Sequence, residues 1–119
     1  MKDFRELKVW QKSHILTLGV YRMTLQFPRE ELYQLTSQIR RSASLIPTNI
    51  AEGAGRGGDP EFKRYLIVAY GSSSELDYQL ILARDLGYLP QEKCTPLYQQ
   101  LVEVQRMLHR LIQTIKADS

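Results

Sequence analysis

Residues 53–58 read "GAGRGG", so Gly53, Gly55 and Gly58 satisfy the spacing G-x-G-x-x-G. In a dinucleotide-binding turn those glycines let backbone N–H groups close on a pyrophosphate, but only after a strand and within a βαβ unit. Glu75 and Asp77 even stand near the distance where a ribose-binding carboxylate would be sought. No stretch of the sequence sustains period-two alternation, so no strand is predicted to precede the glycines. They are read instead as the end of one helix and the turn into the next. The chemistry left at this spot is electrostatic: free N–H groups near Asp59 and the guanidinium of Arg56 are suited to a backbone phosphate.

Other residue types that perform chemistry are sparse. His14 and His109 are the only histidines and Cys94 is the only cysteine, so neither a Cys-based metal site nor an intrachain disulfide can be built. Each histidine sits among apolar neighbours at helical spacing without an H-x-x-x-H partner, which favours a structural role over metal or general-base work. Glu103 precedes His109 by six residues, which departs from the Glu-x-x-His spacing of di-iron bundles. The hydroxyl-rich "GSSSE" at 71–75 suggests a close helix contact, not a nucleophile. The expectation is no catalytic residue, no cofactor and no metal.

Polar residues on otherwise apolar stripes are more informative. Arg40, Arg41, Asn49 and Glu52 in the second helical block and Glu75 in the third fall near predicted core faces. A buried charge must be paired, so a polar core with Arg40 or Arg41 linked to Glu75 is expected.

The elements that must carry these residues are four amphipathic blocks. The first, from about Leu7 to Phe27, shows one stripe of Leu7, Trp10, His14, Leu18, Tyr21 and Leu25, and a second of Leu16, Val20, Met23 and Phe27. One apolar face suffices for a monomeric bundle. The first stripe is therefore assigned to the core and Leu16, Val20, Met23 and Phe27 to an oligomer interface. The second block spans about Arg29 to Ala54, with Pro47 expected to kink it and Ser42, Ser44 and Thr48 placed to serve the freed carbonyls. The third opens on "DPEF", with Asp59 as N-cap and Pro60 at the first helical position, and closes at Gly87. The fourth runs from about Gln91 to Lys116, with regular helix expected from near Thr95 because of Pro96. Short connections make neighbours antiparallel. The fold class is all-α, a single domain over residues 1–119 forming an up-down-up-down four-helix bundle.

Sixteen Lys and Arg against thirteen Asp and Glu give a formal charge of +3. The excess is concentrated at the start, where Lys2, Arg5, Lys8, Lys12 and Arg22 face only Asp3 and Glu6 within residues 1–28. A symmetric oligomer would multiply this field. Nucleic-acid contact, if made, is assigned to Lys8, Lys12, Arg56, Lys63 and Arg64. "MKDFRELKVW" lacks the apolar core of a signal peptide, and no apolar run approaches the ~20 residues that span a bilayer. A cytoplasmic protein without membrane contact is expected.

Four segments carry a resemblance: "LKVWQKS" (7–13), "QIRRSASLIPTNIAEGAGR" (38–56), "YLIVAYGSSSELDYQL" (65–80) and "DLGYL" (85–89). Together they resemble the 23S rRNA intervening-sequence protein family of four-helix-bundle proteins. They are also similar to the accessory variability determinant of diversity-generating retroelements. The resemblance extends from Phe4 to about Leu111. It implies a four-helix bundle assembled as a ring-shaped homopentamer. From the retroelement relatives it further implies RNA or DNA and a reverse transcriptase as partners. The function expected is a non-enzymatic homo-oligomer that associates with RNA or DNA through basic side chains. The alternative is a protein-interaction scaffold without nucleic-acid affinity.

Overall fold

The structure, a computed structural model, describes residues 3–115. Four helices account for most of them: α1 (Lys8–Thr24), α2 (Leu35–Ala54), α3 (Asp59–Asp85) and α4 (Gln91–Thr114). Short 3-10 turns, Phe4–Glu6 and Arg29–Glu31, precede α1 and α2. No strand occurs among the described residues.

The helices alternate in direction. Thr17 meets Ala43 while Thr24 meets Arg40, so α1 and α2 run oppositely. Residues 55–58 span at most about 14 Å of chain, too little to cross a helix of the length of α3, which must therefore return along α2. Tyr70 faces His109 and Ile81 shares a cleft with Tyr98, which sets α4 antiparallel to α3. Lys12 pairs with Glu103, and a Cβ on Gly19 would lie 3.0 Å from Leu97, closing α4 against α1. Helices α1 and α3 stand at diagonal corners, with no close backbone approach, and run parallel. The result measures 46 × 24 × 21 Å.

The core is drawn from all four helices, most heavily from α2 and α3. Leu16, Ile39, Ile46, Ile50, Leu66, Leu76, Leu80, Leu101 and Leu108 are essentially inaccessible to solvent. Each contributes roughly 1.5–3 kcal/mol by leaving water. The apolar repeat at three- and four-residue spacing turns inward on α2 (Ile39, Ala43, Ile46, Ile50), on α3 (Phe62, Leu66, Ala69, Leu76, Leu80) and on α4 (Leu97, Leu101, Val104, Leu108), while Leu32, ahead of α2, is exposed.

The face of α1 expected to turn inward does not. Leu16, Val20 and Phe27 point into the core, whereas Leu18, Tyr21 and Leu25 face solvent. The inward face of α1 also carries Ser13, Thr17 and Thr24, all buried. Their hydroxyls donate to the carbonyls of Trp10, Ser13 and Val20 within the same helix, which meets the cost of burying them. A partly hydroxylic inner face and a strongly apolar outer one invert the usual hydropathy signal.

Smaller corrections have local causes. Residues 29–34 form a 3-10 turn and a further hydrogen-bonded turn before α2, whose first amide, Leu35 N–H, donates to Glu31 Oε1 at 3.3 Å. Helix α4 begins at Gln91 and continues through Pro96, whose missing N–H costs the single helical bond to the Glu92 carbonyl. Gly58, not Asp59, is the N-cap of α3, and Asp59 is its first residue.

The glycines of 53–58 serve packing and turning. A Cβ on Gly53 would sit 2.7 Å from Tyr65 Cβ, so glycine permits the close approach of α2 to α3. Gly57 adopts φ 87°, the left-handed region needed by the turn. Gly87, at φ 82°, ends α3 as expected. Its N–H donates to Arg84 and that of Tyr88 to Ala83, the paired bonds of a Schellman motif.

Candidate interaction surfaces

The five nominated phosphate-binding cations do not form one free basic patch. Lys12 Nζ lies 3.1 Å from Glu103, Arg56 lies 3.1 Å from Glu52, and Arg64 donates through Nε and Nη2 to both carboxylate oxygens of Glu61. Lys8 and Lys63 have no carboxylate partner among the described residues. Arg56 and Arg64 do converge. Their guanidinium groups lie 5.3 and 4.6 Å from the centroid of the Tyr65 ring, and Arg56 also donates to the Tyr65 hydroxyl at 3.0 Å. The Tyr65 ring therefore gathers one guanidinium from the turn after α2 and one from α3, and each is answered by a nearby acid, Glu52 in α2 or Glu61 in α3. Hydrogen bonding from Arg64 holds the Glu61 carboxyl below its ordinary range and reciprocally raises the Arg64 pKa.

The expected polar core is corrected. Glu75, Arg41 and Glu52 are exposed, and no pair forms between Glu75 and either arginine. Asn49 is half-buried and donates to the carbonyl of Leu45. Arg40 is half-buried but turns towards α1: its Nε donates to Thr24 Oγ1 at 2.8 Å, and its guanidinium lies 4.9 Å from the Tyr21 ring centroid. Leu16, Val20 and Phe27 cannot form an oligomer interface, because they are buried in the chain's own core, and Met23 is half-buried against it.

Among the described residues no side chains converge as a catalytic set. His14 stacks on Trp10 at 5.2 Å, His109 faces Tyr70, and buried Cys94 lies in the first turn of α4. No group of three or more His, Cys, Asp or Glu side chains suited to a metal occurs among the described residues. No described helix is long and apolar enough to cross a membrane. A groove of about 640 Å³ between α1 and α2 is lined by Phe4, Trp10, His14 and Pro47, with Glu52 at its edge. Its hydroxyls, Thr17, Ser44 and Thr48, already donate to backbone carbonyls.

What sequence reasoning missed lies on the outside of α1 and α3. On α1, Ile15, Leu18 and Leu25 are exposed, with Arg22 among them. On α3, Ile67, Val68, Tyr78 and Ile81 are exposed around Gly71 and Glu75. The spacing of these residues was legible, but apolar periodicity alone does not say which of two stripes turns inward.

The sequence features of the 23S rRNA-intervening sequence protein family match residues 5–110. The chain belongs to this family. In fold it is similar to a crystal structure from Bacteroides thetaiotaomicron VPI-5482, described as a protein of unknown function from the S23 ribosomal protein family. The likeness has a TM-score of 0.78 at 22% identity and covers 87% of this chain and 97% of that one. No curated protein matches the chain. Within this intervening-sequence family member, the four-helix bundle is thus common ground, while its exposed faces must be read from the chain itself.

Proposed function

We propose that this intervening-sequence protein is a non-enzymatic scaffold that assembles with copies of itself. The observation that carries the reading is the pair of apolar stripes on α1 and α3, helices at opposite corners of the bundle. Leu25 is 75% and Tyr78 62% exposed, and each belongs to a stripe with helical spacing. Such continuous exposure is costly in a lone chain and marks a contact surface. Homopentameric assembly, implied by the family resemblance, is the copy number this proposal adopts. Sedimentation equilibrium at tens of micromolar tests it. The expected mass is an integer multiple of 13.8 kDa, and a lone 13.8 kDa species would overturn it.

Association with RNA or DNA is a second reading, favoured by the cations that remain without acids. Lys8 and Arg110 flank one cleft of about 340 Å³ between the start of α1 and the end of α4. Five copies of a +3 chain would present about +15 in one assembly. Binding of this kind would be sequence-independent and would weaken steeply with salt, because the gain from releasing condensed counterions shrinks as salt rises. Fluorescence anisotropy at about 50 mM salt with structured RNA and duplex DNA tests it. Absence of binding at tens of micromolar leaves the scaffold alone.

A further inference from the structure

The two exposed stripes match each other residue by residue. Aligned in the same direction, Ile15 falls beside Val68, Leu18 beside Gly71, Arg22 beside Glu75 and Leu25 beside Tyr78, each pair separated by the same 53 positions. Because α-helices rise a constant ~1.5 Å per residue, a constant offset brings all four pairs to the same heights at once. Apolar residues meet apolar residues at the two ends, a leucine meets the bare backbone of a glycine, and a cation meets a carboxylate. The spacing of three and four residues is that of a packed helical seam.

We infer that the outer face of α1 in one copy packs in parallel on the outer face of α3 in the next, with Arg22 of one copy paired to Glu75 of its neighbour. This rests on the self-assembly proposed above and assigns its surfaces and register.

Three features of the single chain are otherwise unexplained. Arg22 and Glu75 are both exposed and make no ion pair or side-chain hydrogen bond among the described residues, although both lie amid apolar neighbours. Gly71 occupies the middle of the 27-residue helix α3, where a Cβ would meet nothing within 4 Å. Glycine there weakens the helix relative to alanine, and no packing inside the chain requires it. A leucine arriving from outside does require it.

The direction also fits. Since α1 and α3 run parallel in the bundle yet face away from each other, one copy can accept a neighbour on each side in the same orientation. The contact is heterologous: the surface offered by α1 differs from that offered by α3. Repeated rotation about an axis along the helices closes such contacts into a ring.

Charge exchange tests the pairing directly. Arg22→Glu and Glu75→Arg should each weaken assembly about ten-fold or more by opposing like charges across the seam. The double variant should recover most of the wild-type mass in sedimentation. Gly71→Leu should fill the hole and dissociate the assembly, while circular dichroism shows helicity at or above wild type. If the wild type assembles but the single charge variants and Gly71→Leu keep its mass, the α1-on-α3 contact is overturned and self-assembly stands. If the single variants dissociate without recovery in the double variant, the Arg22–Glu75 register is overturned. A wild type that stays monomeric removes both readings.

Discussion

Thr17 Oγ1 lies 3.1 Å from the carbonyl oxygen of Ala43, the acceptor that Pro47 deprives of its helical donor. Proline has no N–H, and a buried carbonyl without a partner is costly. The single Thr17 proton is shared between the Ser13 carbonyl at 2.8 Å and this one, so the donor that Ala43 receives comes from α1, and Ser42, Ser44 and Thr48 are not what satisfies that carbonyl. Thr17→Val, which keeps the volume and removes the donor, should destabilise the chain by about 1–3 kcal/mol. Thr48→Val, at an exposed site on α2, should change stability by less than about 0.5 kcal/mol. Urea denaturation of the two variants makes the comparison.

Gly53 and Gly71 are both helical, but alanine should act on them in opposite directions. A Cβ at Gly53 collides with Tyr65 and crowds Phe62, so Gly53→Ala should cost about 1–3 kcal/mol. At Gly71 the space is open within the chain, and Gly71→Ala should raise the intrinsic stability of the fold by about 0.5–1 kcal/mol. Denaturation midpoints, read at concentrations where each variant is monomeric, test the pair.

Core charge gives a third contrast. Because Glu75 is exposed and unpaired within the chain, Glu75→Ala should alter the stability of a monomeric Gly71→Leu background by less than about 0.5 kcal/mol. Arg40→Ala in the same background removes a bond to Thr24 and a stack on Tyr21, and should cost about 1–2 kcal/mol. Equal effects of the two substitutions in chemical denaturation would contradict this assignment.

Two groups predict how stability changes at the ends of the pH scale. The Tyr88 hydroxyl donates to Glu31 at 2.9 Å, which pushes its pKa above the ordinary 10.0. A raised pKa means the contribution is complete below pH 10 and is lost as pH climbs through the folded-state value. Glu61, lowered from 4.5 by Arg64, behaves in reverse: its contribution is present above that value and is lost as pH falls through the folded-state one. Ultraviolet titration of the phenolate, with Tyr88→Phe as the difference control, should show Tyr88 ionising above the ordinary range. Glu31→Gln should bring it back.

Much of the fold was legible in the sequence because α2 and α4 each carry one dominant apolar stripe, and on α3 the unbroken repeat of Phe62, Leu66, Ala69, Leu76, Leu80 and Ala83 marks the inward face although a second apolar stripe lies outside. Gly87 announced its left-handed turn, and the glycines of 53–58 were separable from a phosphate turn by the lack of a preceding strand. The face of α1 was not legible. Ser13, Thr17 and Thr24 look polar in a sequence, yet they are buried at low cost because each hydroxyl returns to its own helix. Leu18 and Leu25 look like core and are not. The acids answering Arg56 and Arg64, by contrast, stood at helical spacing in the sequence: Glu52 four residues before one and Glu61 three before the other. Lys12 finds Glu103 only through the packing of α1 on α4, which no local pattern announces.

The most direct measurement is a disulfide formed between copies. Leu18→Cys and Gly71→Cys, placed in one chain that keeps its buried Cys94, lie on opposite sides of a bundle 24 × 21 Å in cross-section. A disulfide needs Cα atoms within about 7 Å, so the two cannot join within a chain. Mild oxidation followed by a non-reducing gel should give a ladder of linked chains, and Leu18→Cys alone or Gly71→Cys alone should give none. Only monomer from the double variant, or a dimer from Leu18→Cys alone, would contradict packing of α1 on a neighbour's α3.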